Sequence, residues 1–166
     1  MDEVEWLSTQ ERRTWLALIS TFWTLPREFD SLLLRRAKLT LFDYTVLVGL
    51  SEVPDGQLPM SELASRTMAS LSRLSHVVSK LERRGLLIRS AHEEDGRVTT
   101  ASITNLGREL LQEVAPDHVA HVRQLVFEQL SSAESVQLDK LLRKVLLGVN
   151  PKLWTLSDEA TMIEEK

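Results

Sequence analysis

The sequence predicts a mainly α fold of the α+β class, in which long apolar helices at the two ends of the chain frame a small module of short helices and one β-hairpin. Three observations predict it. Apolar residues recur at helical spacing over long stretches near both termini, short capped helices with clear turn signals fill the middle, and two β-prone runs flank an Asp-Gly turn.

The first helix is predicted from about Thr9 to Arg36. Trp15, Leu18, Ile19, Phe22, Trp23, Phe29, Leu32 and Leu33 recur at its helical period, and Pro26 predicts a kink. A helix so apolar and so aromatic needs a large partner surface, and no neighbouring stretch of equal length follows it directly. Its partner comes from later in the chain or from a second copy.

Thr40 caps a second helix running to about Ser51, with Phe42, Val46, Leu47 and Leu50 as its buried stripe, and Pro54-Asp55-Gly56 ends it with turn chemistry. A short extended piece around Gln57-Leu58-Pro59 leads to a third, short helix from Glu62 to about Thr67, capped by Ser61 and turning Leu63 and Ala64 inward. The fourth helix, about Leu71 to Arg84, carries the clearest pattern. Leu71, Leu74, Val77, Val78 and Leu81 form one stripe, and Gly85 stands where a left-handed cap is expected. At 100° per residue, Ser72, His76, Ser79 and Arg83 project away from that stripe, flanked by Arg73 and Lys80. This face mixes hydroxyls with cationic donors and holds no carboxylate.

Residues 86–89 and 99–103 read as strands, and His92 to Arg97 reads as the tip of a projecting hairpin. Thr104 then caps a long helix with Leu106, Leu110, Leu111, Val114, Val119, Val122, Leu125 and Val126 on its buried side and a kink expected at Pro116. Ser131 and Glu134 form a capping box opening a last helix to about Leu147, seamed by Leu138, Leu141, Leu142 and Val145. Beyond Asn150 the tail is loosely patterned, with Leu153, Trp154 and Leu156 as candidate anchors on the helical layer.

The chemistry of the whole chain narrows its function. It has no cysteine, which excludes disulfides, thiolate metal sites and thiol redox sensing. The acidic N-terminus does not read as a signal peptide, and no apolar run reaches the roughly 18 residues that span a bilayer, so a cytoplasmic protein without membrane contact is expected. The net charge of -4 argues against coating nucleic acid through bulk positive charge. Its distribution differs: from Ser61 to Ser90, Arg66, Arg73, Lys80, Arg83, Arg84 and Arg89 face only Glu62 and Glu82, a local basic footprint inside an acidic chain.

A short helix, a tight turn, a second helix with a carboxylate-free polar face and then a hairpin bearing Arg97 form the pattern of a winged helix-turn-helix reader of double-stranded DNA. The major groove admits one α-helix whose hydroxyls and donors reach base edges, while Arg and Lys at its margins meet phosphates. Arg97 at the tip can reach the adjacent minor groove, where negative potential favours a guanidinium.

The order of these segments also resembles the multiple-antibiotic-resistance regulator (MarR) family of bacterial transcription factors. The resemblance rests on residues 58–64 (LPMSELA), on 74–87 (LSHVVSKLERRGLL), and on Asp95-Gly96-Arg97 followed by Ile103-Thr104-Asn105-Leu106-Gly107, with Ile103 in place of the usual Leu. It implies a homodimer in which residues 1–37 and 105–166 form an intertwined dimerisation layer and residues 38–104 form the winged helix-turn-helix DNA-binding domain. It implies a regulator, expected to be a repressor, on a palindromic operator, with two recognition helices entering successive major grooves roughly 34 Å apart. Under the same resemblance Ser70, Ser72, Arg73, Ser75, His76, Ser79 and Lys80 are the candidates for base and phosphate contact, with Arg73 and Lys80 directed at phosphate, and Asp95 supports Arg97 through a salt bridge at the wing.

Many members of that family release DNA when a small aromatic or anionic effector binds between the reader lobe and the dimer helices. Trp15, Phe22, Trp23 and Tyr44 are the candidate lining here, although rings at helical spacing are more often core. His118 and His121 sit one turn apart beside Asp117, but two imidazoles do not make a site, and neither a metal nor any cofactor is expected. No phosphate loop, nucleophile elbow or paired-carboxylate signature points to an enzyme. The rival reading is a winged-helix dimer that binds another protein instead of DNA. The basic face and Arg97 count against it, and the chain's overall acidity keeps it open.

Overall fold

A computed structural model describes residues 4–91 and 97–157, and the architecture is a winged helix-turn-helix carried on long terminal helices. The elements are α1 (Thr9–Ala37), α2 (Leu41–Ser51), β1 (Gln57–Pro59), α3 (Met60–Arg66), α4 (Leu71–Arg83), β2 (Leu87–Ala91), β3 (Thr99–Ile103), α5 (Asn105–Leu125) and α6 (Ser132–Val149), with single 3-10 turns at Phe127–Gln129 and Trp154–Leu156.

Local chemistry explains most boundaries. Ser8 with Glu11, Thr40 with Asp43, and Ser131 with Glu134 each form a reciprocal capping box, which satisfies two orphan N–H groups per helix start. The Ser8 and Ser131 hydroxyls and backbone amides hold the Glu11 and Glu134 carboxyls below the ordinary glutamate range. Ser61 does not cap α3: the helix starts two residues earlier than expected, at Met60 after Pro59, whose fixed φ already suits a helix entry, and no side chain caps it. Helix α1 runs through Pro26 for 29 residues, roughly 44 Å at 1.5 Å per residue.

Among the described residues two that are not glycine adopt left-handed backbone, Lys38 at the end of α1 and Met68 in the turn between α3 and α4. At Lys38 the conformation is held from outside. The Arg84 guanidinium donates to the carbonyls of Ala37 (2.8 Å) and Lys38 (2.9 Å), tying the end of α1 to the end of α4.

The extended piece at 57–59 is a true strand. It pairs with β3, giving an antiparallel sheet in the order β1-β3-β2, with Leu58 opposite Ala101 and Arg89 opposite the same residue from the other side. The core lies where α2, α3, α4 and the sheet meet the second half of α1 and the first half of α5. Leu33, Leu39, Val46, Leu47, Leu50, Leu63, Leu74, Val78, Leu81, Leu87 and Ala101 are buried there. By contrast the first half of α1 and all of α6 bury nothing, and among the described residues no helix is long and apolar enough to cross a membrane.

Candidate nucleic-acid interface

Helix α4 is anchored by its inner stripe and open on the other side. Leu74, Val78 and Leu81 are fully buried and Val77 is half-buried, which fixes the helix's rotation about its own axis. Leu71, expected in that stripe, is instead exposed at the first turn, where it borders a cleft towards the hairpin. Opposite the stripe, Ser72, Ser75, His76 and Arg83 are exposed and Ser79 is half-buried. Among the described residues of α4 the only carboxylate is Glu82, and it is turned to the hairpin, where it accepts hydrogen bonds from the Arg89 amide and guanidinium. Those bonds hold Glu82 below the ordinary glutamate range.

The candidate residues divide by what they already touch. Ser70 is the N-cap, its hydroxyl accepting from the Arg73 amide at 3.2 Å, so it sets the helix start before it can meet a ligand. The Ser79 hydroxyl donates to the Ser75 carbonyl at 2.8 Å. Ser75 and Arg97 line the same cleft between α4 and the hairpin, together with Met60, Ser61, Leu71, Arg89 and Thr99. Arg97 is exposed; Asp95, its expected support, lies outside the described residues.

The basic footprint is smaller than the sequence count. Arg66 is paired with Glu62 and stacked over Trp154, Arg84 is spent on the end of α1, Arg89 is paired with Glu82, and Lys80 is bonded to Asp43. Glu62 and Glu82 already stand in the linear tally, but Asp43, which comes from another element, and the carbonyls that hold Arg84 do not. Arg73, Arg83 and Arg97 are exposed; Arg83 donates to the Ser79 carbonyl at 3.3 Å, and Arg73 is stacked over the Phe42 ring at 4.1 Å.

The four aromatics proposed as one ligand pocket do not come together. Tyr44 is buried on α2 and lines a cleft of about 300 Å³ with Val48, Ser51, Arg108, Leu111, Gln112 and Ala115. Phe22 borders a separate groove between α1, α2 and α4, while Trp15 and Trp23 stand exposed on α1. Helical spacing sets Trp15, Phe22 and Trp23 on one stripe of α1, but that stripe runs past the end of the protomer's own core. Burial pushes the Tyr44 hydroxyl up from its ordinary value, with the Glu52 charge adding to it, and burial likewise raises Glu52. Behind Tyr44, His118 packs tilted on its ring at 4.5 Å and edge-on to Phe29 at 5.5 Å; Asp117 is salt-bridged to Arg36, so the histidines belong to the packing of α5 on α1.

Comparison with known proteins agrees with this geometry. The family model for the MarR family matches residues 38–98. The regulator MhqR of Bacillus subtilis is 35% identical over 97 residues, which cover 58% of this chain and 65% of that protein, so the match spans under two thirds of that relative's length. The transcriptional repressor IacR of Pseudomonas putida is 31% identical over 134 residues, 79% of this chain and 75% of IacR. The fold superposes on Sco3205 of Streptomyces coelicolor, a MarR family regulator solved in complex with DNA, with a TM-score of 0.87 and 36% identity over 91% of this chain and 94% of that one.

Proposed function

This chain belongs to the MarR family, and on that premise we propose that it is a transcriptional repressor that binds a palindromic DNA operator as a homodimer. The observation that carries the reading is the outer face of α4, exposed and without a free carboxylate, beside a hairpin that presents Arg97. A duplex groove is the polyanionic surface that such a face fits. In this reading Ser72, Ser75 and His76, all exposed, meet base edges, and the exposed Arg73, Arg83 and Arg97 meet phosphates and the minor groove.

The chain acts by binding and not by catalysis. Ser79 and His76 share a face, yet the Ser79 hydroxyl is spent on the Ser75 carbonyl, and no acid on that face orients the imidazole. A regulator of this kind works in the cytoplasm, where its operator is. The Tyr44 cleft between α2 and α5 suits a small aromatic acid, with the ring against Tyr44 and the carboxylate at Arg108. Occupying it would shift the dimer helices against the reader lobe and release DNA.

Fluorescence anisotropy against the DNA upstream of the chain's own gene tests the proposal. Tight binding to a palindrome whose half-sites lie about 10 base pairs apart is expected, falling steeply with salt. Arg97→Ala should weaken it by roughly tenfold while melting as the parent does, because an exposed tip residue buries little. A dimer that ignores that DNA and random duplex alike overturns the reading.

A further inference from the structure

We infer that Lys80 is a positioning residue, clamped by Asp43 to hold the recognition helix against the start of α2, and not a contact to the DNA backbone. The inference rests on the DNA-binding reading above and reverses the role that the sequence suggests for this residue.

Asp43 is only 1% exposed, and its carboxylate accepts from the Thr40 amide at 2.7 Å and from the Lys80 ammonium at 2.5 Å. A buried carboxylate without a cationic partner is strongly unfavourable, whereas a phosphate on the duplex surface stays wet and its charge is screened. Lys80 therefore has more to lose by leaving Asp43 than it gains at a phosphate.

The placement of the pair gives it a task. Arg73 and Lys80 are seven residues apart, two helical turns, on the same side of α4. Phe42 lies under the first and Asp43 binds the second, so two adjacent residues of α2 grip the recognition helix at two points. The grip is itself braced from α1, because the Asp30 carboxylate accepts from the Leu41 amide at 2.5 Å. Base readout demands that a helix enter the groove at a fixed pitch. A two-point clamp running from α1 through the first turn of α2 sets that pitch, and it links the long N-terminal helix to the reading face.

The test compares binding of the full-length chain to its operator and to random duplex over a series of salt concentrations. With Lys80→Met, operator affinity should fall at least tenfold, random-duplex affinity should change less than twofold, and the slope of log affinity against log salt should not move. Lys80→Arg, which keeps a cation within reach of Asp43, should retain operator affinity to within about threefold. If Lys80 instead touches phosphate, Lys80→Met weakens both duplexes together and the slope shallows by about 0.9 per lost contact, which overturns the inference. Should Lys80→Met fold poorly, Asp43→Asn with Lys80→Met removes both charges, and the salt slope of this pair must equal that of the parent. Melting of the DNA-free parent, the two single variants and the double variant closes the cycle. Strong coupling supports the clamp, and additive effects overturn it. A parent that binds no duplex sinks the regulator reading, yet the melting cycle still decides whether the clamp exists.

Discussion

Gly107 occupies a place where no side chain fits. A Cβ there would run into the Leu86 carbonyl and the Ile103 side chain, because α5 begins directly against the strand that leads into it. Thr104 makes the junction: its hydroxyl accepts from the Gly107 amide at 3.1 Å and donates to the Gly85 carbonyl at 2.7 Å. Gly107→Ala should cost about 1–3 kcal/mol in urea unfolding, the usual range for an overpacked site; an unchanged midpoint would show that the junction can spread. A second residue-scale expectation concerns His118. Burial, and then the charge of His121, hold its imidazole below the ordinary histidine value. Between that lowered value and about 6.5, the unfolded chain binds a proton that the folded chain does not, so stability falls as the pH falls. The contribution is complete above about pH 6.5 and is lost as the pH drops through the folded-state value. Melting temperatures from pH 8 to pH 5 should decline more steeply for the parent than for His118→Phe, and parallel curves would remove His118 from the account.

Individual elements differ in how legibly the sequence announces them. The caps at Thr40 and at Ser131 with Glu134 are visible because capping is local chemistry, written within three residues. The left-handed turn at Met68 leaves no such trace, since it has neither Gly nor Asn to mark it. The reading face of α4 is legible from its period, and so is the Arg66–Glu62 pair one turn apart on α3, but the Trp154 ring at Arg66 and the partners of Lys80 and Arg84 are not, because each comes from another element. The sequence marks the C-terminal 3-10 turn only through Leu153, Trp154 and Leu156 as candidate anchors on the helical layer. It docks on α3, with Trp154 under the Arg66 guanidinium at 5.1 Å and the Thr155 carbonyl accepting from Arg143 of α6 at 3.3 Å. The segment thus straps α6 to the first helix of the reader pair. Trp154→Ala should lower stability by about 1–2 kcal/mol and speed amide hydrogen exchange in α3 ahead of α4. Equal exchange in both helices would mean that the strap carries no load between α6 and the lobe.

At the scale of the whole molecule, one protomer is an unfinished structure. Helix α6 has no buried residue along 18 positions, and it exposes Val136, Leu141, Val145, Leu147 and Val149, while α1 exposes Trp15, Phe22 and Trp23. A patch of this size on two long helices is a self-complementary surface waiting for its copy, since a C2 interface needs each apolar stripe to meet its own symmetry mate or the other stripe. In the proposed dimer the same pairing would fix the distance between two recognition helices, so dimerisation and operator spacing would be set together. Leu141→Glu with Val145→Glu places four carboxylates per dimer in that seam. Sedimentation should show the parent as a dimer and the variant as a monomer whose reader lobe keeps its core, because that core closes without α6. Operator affinity should then fall by about 10²–10⁴, the factor lost when two linked half-site contacts become one. A variant that stays dimeric, or a monomer that binds the full operator as tightly as the parent, would separate the apolar helices from DNA recognition and leave their exposure without a function.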